Sequence, residues 1–272
     1  MKDNLLRPDQ VRQVYTVLRM AVAMCFIGHG AFGILTKPIW CNYFAVVGIG
    51  PSLAYRLMPL VGSLDILMGI IMLIYPMRIV PAWLIMWGLV TASMRPLSGE
   101  PFAELIERAG NFGAPLALLL LTGIPRKQKD WFARIYPSNP INATGPDRVI
   151  TCLRIIGFLL LSGHGWLNLL GKAALLKQYT ALGFADPVQT AQIIGILEIA
   201  GACMILIKPM RPLIFGLLIW KMGSELFYPQ YAFFEWVERG GSYGTLLALW
   251  MLAERQPTLR KMHVQPNLAA MH

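Results

Sequence analysis

His29 and His164 each sit between two glycines, as Gly28-His29-Gly30 and Gly163-His164-Gly165, inside long apolar runs. Asp65 and Glu198 lie in the apolar runs that follow. Ionisable groups in such runs are costly, so they mark either a functional site or a strict structural constraint. A histidine beside a carboxylate can take up and return a proton near neutral pH. The same pair can also be an interhelical hydrogen bond that only holds two helices together. Two histidines at matched depth can ligate a haem b, and histidine with carboxylate is also a metal-ligating combination. His29, Asp65, His164 and Glu198 are therefore the candidate proton-handling residues, with His29 and His164 as the ligands of the haem alternative.

Helical rise places these groups. His29 precedes Lys37 by eight residues, which puts it roughly 12 Å inside the end of its helix. Asp65 is about ten residues into the returning helix, or roughly 15 Å deep. The two are expected to meet, and His164 and Glu198 to repeat the arrangement. Gly62 and Gly69 flank Asp65, and Gly195 and Gly201 flank Glu198; small residues let membrane helices approach closely. Glu107-Arg108 and Glu238-Arg239 fall where a fourth helix begins in each half. The glutamates are expected to cap those helices, favoured by the partial charge of a helix N-terminus, and to form a salt bridge. Trp87 and Trp220 are expected to be packing residues. Arg95, Lys221 and Glu225 have no counterpart in the other half, which marks either specialisation of one copy or polar interface. His263 and His272 lie in a polar tail and carry no specific signal.

The elements that must position these residues are hydrophobic helices. The 272 residues are 56% hydrophobic and only 14% charged, against about a quarter charged in soluble domains. The mean hydropathy is +0.54. Apolar segments run at about 14–36, 55–75, 79–95 and 108–124, then 149–171, 188–207, 210–228 and 239–253, near the length that spans a bilayer. No signal-peptide cleavage pattern follows the first run, which is read as a retained helix. The expected fold is all-α and polytopic, with about eight transmembrane helices. Cys25, Cys41, Cys152 and Cys203 form no CxxC pair, so there is no disulfide framework or thiol redox motif.

The chain repeats itself. Arg19, His29 and Lys37 match Arg154, His164 and Lys172. Gly62-x-x-Asp65 matches Gly195-x-x-Glu198, Pro76-Met77-Arg78 matches Pro209-Met210-Arg211, and Trp87 matches Trp220. Glu107-Arg108-x-Gly110 matches Glu238-Arg239-x-Gly241, and the offset drifts only from 135 to 131. Residues 1–124 and 149–272 thus read as two four-helix repeats, joined by a polar, Pro-rich linker at 125–148. An even number of spans makes the repeats parallel, related by a pseudo-twofold axis along the membrane normal.

The net charge is +10 and the charges fall in loops and termini, which argues against nucleic acid and for a bilayer as partner. Lys2, Arg7, Arg12, Arg126, Lys127, Lys129, Arg134, Arg148, Arg255, Arg260 and Lys261 share one side. The positive-inside rule makes that side cytoplasmic, with both termini inside and the chain multi-pass in the cell (inner) membrane. The aromatic stretch from Tyr228 to Trp236 suits the outer interface.

The pattern Arg154, Gly163, Lys172, Gly183-Phe184, Pro187, Gly195-x-x-Glu198-x-x-Gly201 and Arg211 resembles a DoxX-like domain, a four-helix membrane bundle. Arg19, Gly28, Lys37, Gly48, Pro51, Gly62, Asp65 and Arg78 resemble a second copy, with Asp65 where the family has glutamate. The resemblance implies a tandem DoxX-like protein, with Asp65 and Glu198 as the family acid and Lys37 and Lys172 as the family lysine. It also implies a link to quinone redox chemistry and a redox partner subunit. The expected function is a quinone-interacting membrane subunit, with His29, Asp65, His164, Glu198, Lys37 and Lys172 near the head group and Glu107, Arg108, Glu238 and Arg239 as further polar residues on the outer face. The alternatives are a non-enzymatic carrier or assembly partner, and a bis-histidine haem b protein.

Overall fold

In a computed structural model that describes residues 7–137, 145–229 and 232–253, the chain is all-helical, with no strands among the described residues. The early basic and terminal positions Lys2, Arg255, Arg260, Lys261, His263 and His272 lie outside the described residues. Thirteen helices are described. In the first half they are α1 (Pro8–Ile34), α2 (Trp40–Val46), α3 (Pro51–Ile74), α4 (Ile79–Leu97), α5 (Ala103–Glu107) and α6 (Ala109–Thr122). After α7 (Gln128–Phe132) come α8 (Pro146–Leu169), α9 (Ala173–Ala181), α10 (Pro187–Ile207), α11 (Arg211–Glu225), α12 (Ala232–Glu238) and α13 (Gly240–Leu252).

Proline opens each of the four longest helices, α1, α3, α8 and α10, where its fixed φ suits the first turn and its missing N–H is not needed. Hence α1 begins at Pro8 rather than near residue 14: polar Asp9, Gln10 and Arg12 extend the apolar run by more than a turn. These four helices are long and apolar enough to cross a membrane. On α3 and α10 most of the apolar surface faces outward, with Leu60 66% and Ile207 77% exposed, as lipid-facing helices show.

The other four apolar segments give shorter helices: α4, α6, α11 and α13 have 19, 14, 15 and 13 residues. A short helix precedes the fourth segment of each half and makes with it a helical arm broken at an arginine, α5 from α6 at Arg108 and α12 from α13 at Arg239. Each arginine leaves helical geometry to reach acidic partners. Neither Glu107 nor Glu238 caps the following helix, since Arg108 and Arg239 occupy the N-cap positions and no side chain caps there.

The halves interlock. Helices α1, α6, α8 and α13 pack together in the centre. Helix α3 lies on α1 and α10 on α8, while α4 covers α6 and α11 covers α13. Short helix α5 packs on α8, and α12 packs on α1, so each half's broken segment rests on the other half's first helix. Gly110 and Gly241 meet at the crossing: a Cβ on Gly110 would lie 2.6 Å from the Ser242 nitrogen.

Arginines tie the opposite end. Arg19 donates to the Met72 carbonyl at 2.7 Å and to that of Leu73. Arg154 donates to the Ile207 carbonyl at 2.9 Å and to that of Leu206. Each supplies donors to carbonyls that the end of a helix leaves without partners. Arg78 is buried and does the same for α6 through Thr122 and Gly123. Segment 125–137 is attached to the α3–α4 turn, where the Ile135 amide donates to the Pro76 carbonyl at 2.8 Å.

Candidate functional site

The two Gly-His-Gly segments face two neighbours at once. A Cβ on Gly28 would lie 2.3 Å from the Glu238 nitrogen, and one on Gly30 would lie 2.5 Å from the Gly62 oxygen. The first glycine thus admits the other half's broken segment, and the second admits α3. Gly163 and Gly165 meet Glu107 and Gly195 in the same manner. This double approach brings each histidine to its carboxylate. His29 Nδ1 lies 2.7 Å from Asp65 Oδ2, and His164 Nδ1 lies 2.6 Å from Glu198 Oε2.

The two pairs then differ. Trp87 Nε1 donates to Asp65 Oδ1 at 2.8 Å. As a carboxylate, Asp65 accepts at both oxygens, so His29 Nδ1 donates to it and Nε2 is the ring nitrogen left for another partner. Trp87 is therefore more than packing, a role its residue type in an apolar run does not signal. In the second half Glu198 is one methylene longer. Its Oε2 takes both His164 and Asn168, while Glu198 Oε1, Trp220 Nε1 and His164 Nε2 are buried without a hydrogen-bond partner among the described residues. Tyr179 donates to Asn168 Oδ1 at 2.7 Å and seals that side.

His29 opens on a cavity of about 220 Å³. Phe32, Trp40, Tyr43, Phe44 and Trp87 give it an aromatic lining, and Asn111, Arg108, Glu238, Lys37 and Arg95 are its polar residues. Trp40 stands with its ring 4.8 Å from the His29 ring. Short helix α2, which supplies Trp40, Tyr43 and Phe44, has no helix-length hydrophobic run, so the sequence pattern alone does not announce it.

The cations around this cavity are already matched. Lys37 pairs with Glu235. Arg95 lies 3.1 Å from Glu100 and 3.2 Å from Glu104. Arg108 lies 3.6 Å from both Glu107 and Glu238. Lys172 pairs with Glu104 at 2.6 Å, and Arg239 lies 3.8 Å from Glu107. Lys37–Glu235, Lys172–Glu104, Arg108–Glu238 and Arg239–Glu107 all join one half to the other. Burial alone would raise the Glu235 carboxyl, but Arg239 and Lys37 hold it down to about 2. The Glu104 carboxyl is likewise pushed up by burial and brought below its ordinary value by Lys172 and Arg95. The predicted polar residues are thus gathered in one network, and the lysines serve first as ion-pair partners.

The cavity is lined by His29 and not by His164, and His164 is 3% exposed with Nε2 packed away. This geometry does not suit a haem held between them. Among the described residues no group of three His, Cys, Asp or Glu is placed to hold a metal ion. Comparison with known protein families, curated proteins and solved structures gives no match.

Proposed function

We propose that this is a polytopic inner-membrane protein whose first half binds the head group of a quinol and receives its proton at His29. The observation that carries the reading is His29 itself: Nδ1 is fixed to Asp65 at 2.7 Å, and the ring opens on an aromatic cavity. A neutral imidazole held this way offers Nε2 as an acceptor for a hydroxyl, and the carboxylate stabilises the imidazolium formed when the proton moves. Asn111 and Arg108 are donors on the same cavity for a second oxygen of the ring. Because each cation there has an acid beside it, the cavity suits a neutral ligand better than an anion. Oxidation of the quinol passes two electrons to a partner redox subunit and releases two protons, one to His29 Nε2 and the other from the second hydroxyl to water; the chain's part is to hold the head group and take the first proton.

Read as eight spans in two parallel four-helix repeats, with α6 and α13 as the fourth spans, the chain suits this placement. The positive-inside distribution puts both termini in the cytoplasm and the cavity in the outer half of the bilayer. The DoxX-like resemblance, with Asp65 as the family acid and Lys37 as the family lysine, points to the same quinone chemistry. Carrier activity along the pseudo-twofold axis is less well supported, because the Gly110 and Gly241 backbones touch there.

Calorimetric titration of the detergent-purified protein with decylubiquinol tests the proposal. His29→Gln and Asp65→Asn should each weaken binding by about tenfold or more, the loss of one charge-assisted hydrogen bond. Unchanged affinity in both folded variants would refute the assignment.

A further inference from the structure

The two halves carry the same His–acid pair, yet only one of them meets open space. Aligned by the repeat, Gly33, Phe44, Gly88 and Ala92 in the first half stand where the second has Asn168, Tyr179, Lys221 and Glu225. Each change puts a larger or more polar side chain at the site. Lys221 Nζ lies 2.6 Å from Glu225 Oε1, Arg239 Nε is 3.3 Å from the same oxygen, and Tyr243 donates to Oε2. Lys221 and Glu225 are each 1% exposed. A Cβ on Gly88 would lie 3.1 Å from the Asn111 oxygen, so this glycine gives α6 a close approach and carries no side chain where the second half has Lys221. Ala92 is part of the cavity wall.

We infer that the chain carries one ligand site rather than two: the second copy is closed by a buried Lys221–Glu225–Arg239–Tyr243 plug, and the second half serves the first by supplying Glu238 to its cavity and Glu235 to the cavity's Lys37. A buried ion pair with all its partners present is rigid, and removing one partner is costly, so the plug is a permanent closure and not a gate. Glu235 and Glu238 act as positioning residues, holding Lys37 and Arg108 at the cavity through their ion pairs.

This inference uses the quinol reading only to name the ligand, and its test does not need that ligand. Diethyl pyrocarbonate acylates an accessible imidazole nitrogen, and peptide mass spectrometry resolves His29 from His164. In the wild-type protein in mild detergent, His29 should react at least tenfold faster than His164. Ala92→Leu and Ala92→Glu, which fill the cavity wall without and with charge, should each suppress the His29 reaction. Comparable rates at the two histidines, or inertness of both, would overturn the single-site inference. Decylubiquinol added before the reagent separates the two claims. Protection of His29 supports both; fast, selective reaction at His29 without protection keeps the single site and removes the quinol.

Discussion

At the scale of single residues, one methylene, Asp65 against Glu198, separates two sites built from nearly the same parts. Asp65 divides its oxygens between His29 and Trp87. Glu198 sends one oxygen to His164 and Asn168 and leaves Trp220 without its hydrogen bond. The two tryptophans should therefore respond differently to the same change. Trp87→Phe removes a bond to a buried carboxylate and should cost about 0.5–2 kcal/mol, the range for polar contacts within membrane proteins. Trp220→Phe should be close to neutral. Unfolding midpoints of the two variants in one detergent check this, and equal losses would contradict the assigned roles. The histidines and acids were readable from sequence because charge in an apolar run is rare. Trp87 was not, because an indole in such a run is ordinary and only its distance from Asp65 gives it a partner.

At the scale of elements, close approach decides where helices lie. A methyl group on Gly28 would collide with the Glu238 backbone, which cannot move aside as a flexible side chain can. Gly28→Ala and Gly163→Ala should each destabilise by about 1–3 kcal/mol or more, as overpacked interiors do. Gly216, midway along α11 with nothing near its missing side chain, is the control. Gly216→Ala should raise stability by up to about 1 kcal/mol from helix propensity. Thermal denaturation by light scattering would show the three shifts together. Hydropathy and repeated motifs located the long helices, since their apolar runs are continuous. They did not show α2, α5, α9 or α12, whose short lengths are set by tertiary contacts. Nor did they show the breaks at Arg108 and Arg239, whose acids come both from nearby residues, Glu107 and Glu235, and from the other half, Glu238 and Glu107. Glu107 and Glu238 were expected to cap; the arginines took the cap position, and the acids paired with them instead.

At the scale of the whole molecule, the ions that join the halves set the pH range of the fold. Glu235 is held at about 2 by Arg239 and Lys37, against about 4.3 for a free glutamate. A carboxyl depressed on folding contributes stability that is fully present above the unfolded value and is lost as pH falls toward the folded one. The unfolding midpoint should therefore hold down to about pH 5 and decline between there and about pH 2. Glu235→Gln should start lower and decline less over that interval, and parallel curves would show that Glu235 is not the group responsible.

The same cross-links make the halves mutually dependent. Each half's first helix has a glycine face that only the other half's broken segment fills, and Lys37, Glu104, Lys172 and Glu235 all find their partners across the divide. A half by itself would expose that face and leave buried charges without partners, a cost of several kcal/mol per ion. A chain divided between residues 140 and 141 should therefore yield stable protein only when both pieces are made together. One affinity tag on the first piece should then recover both in equal amounts. Fragments 1–140 or 141–272 expressed singly should be degraded or aggregated. A first fragment that purified alone as a monodisperse species, with His29 still reactive toward diethyl pyrocarbonate, would show that the cavity does not need Glu235 and Glu238. That outcome would reduce the second half from a structural part of the site to an attached neighbour.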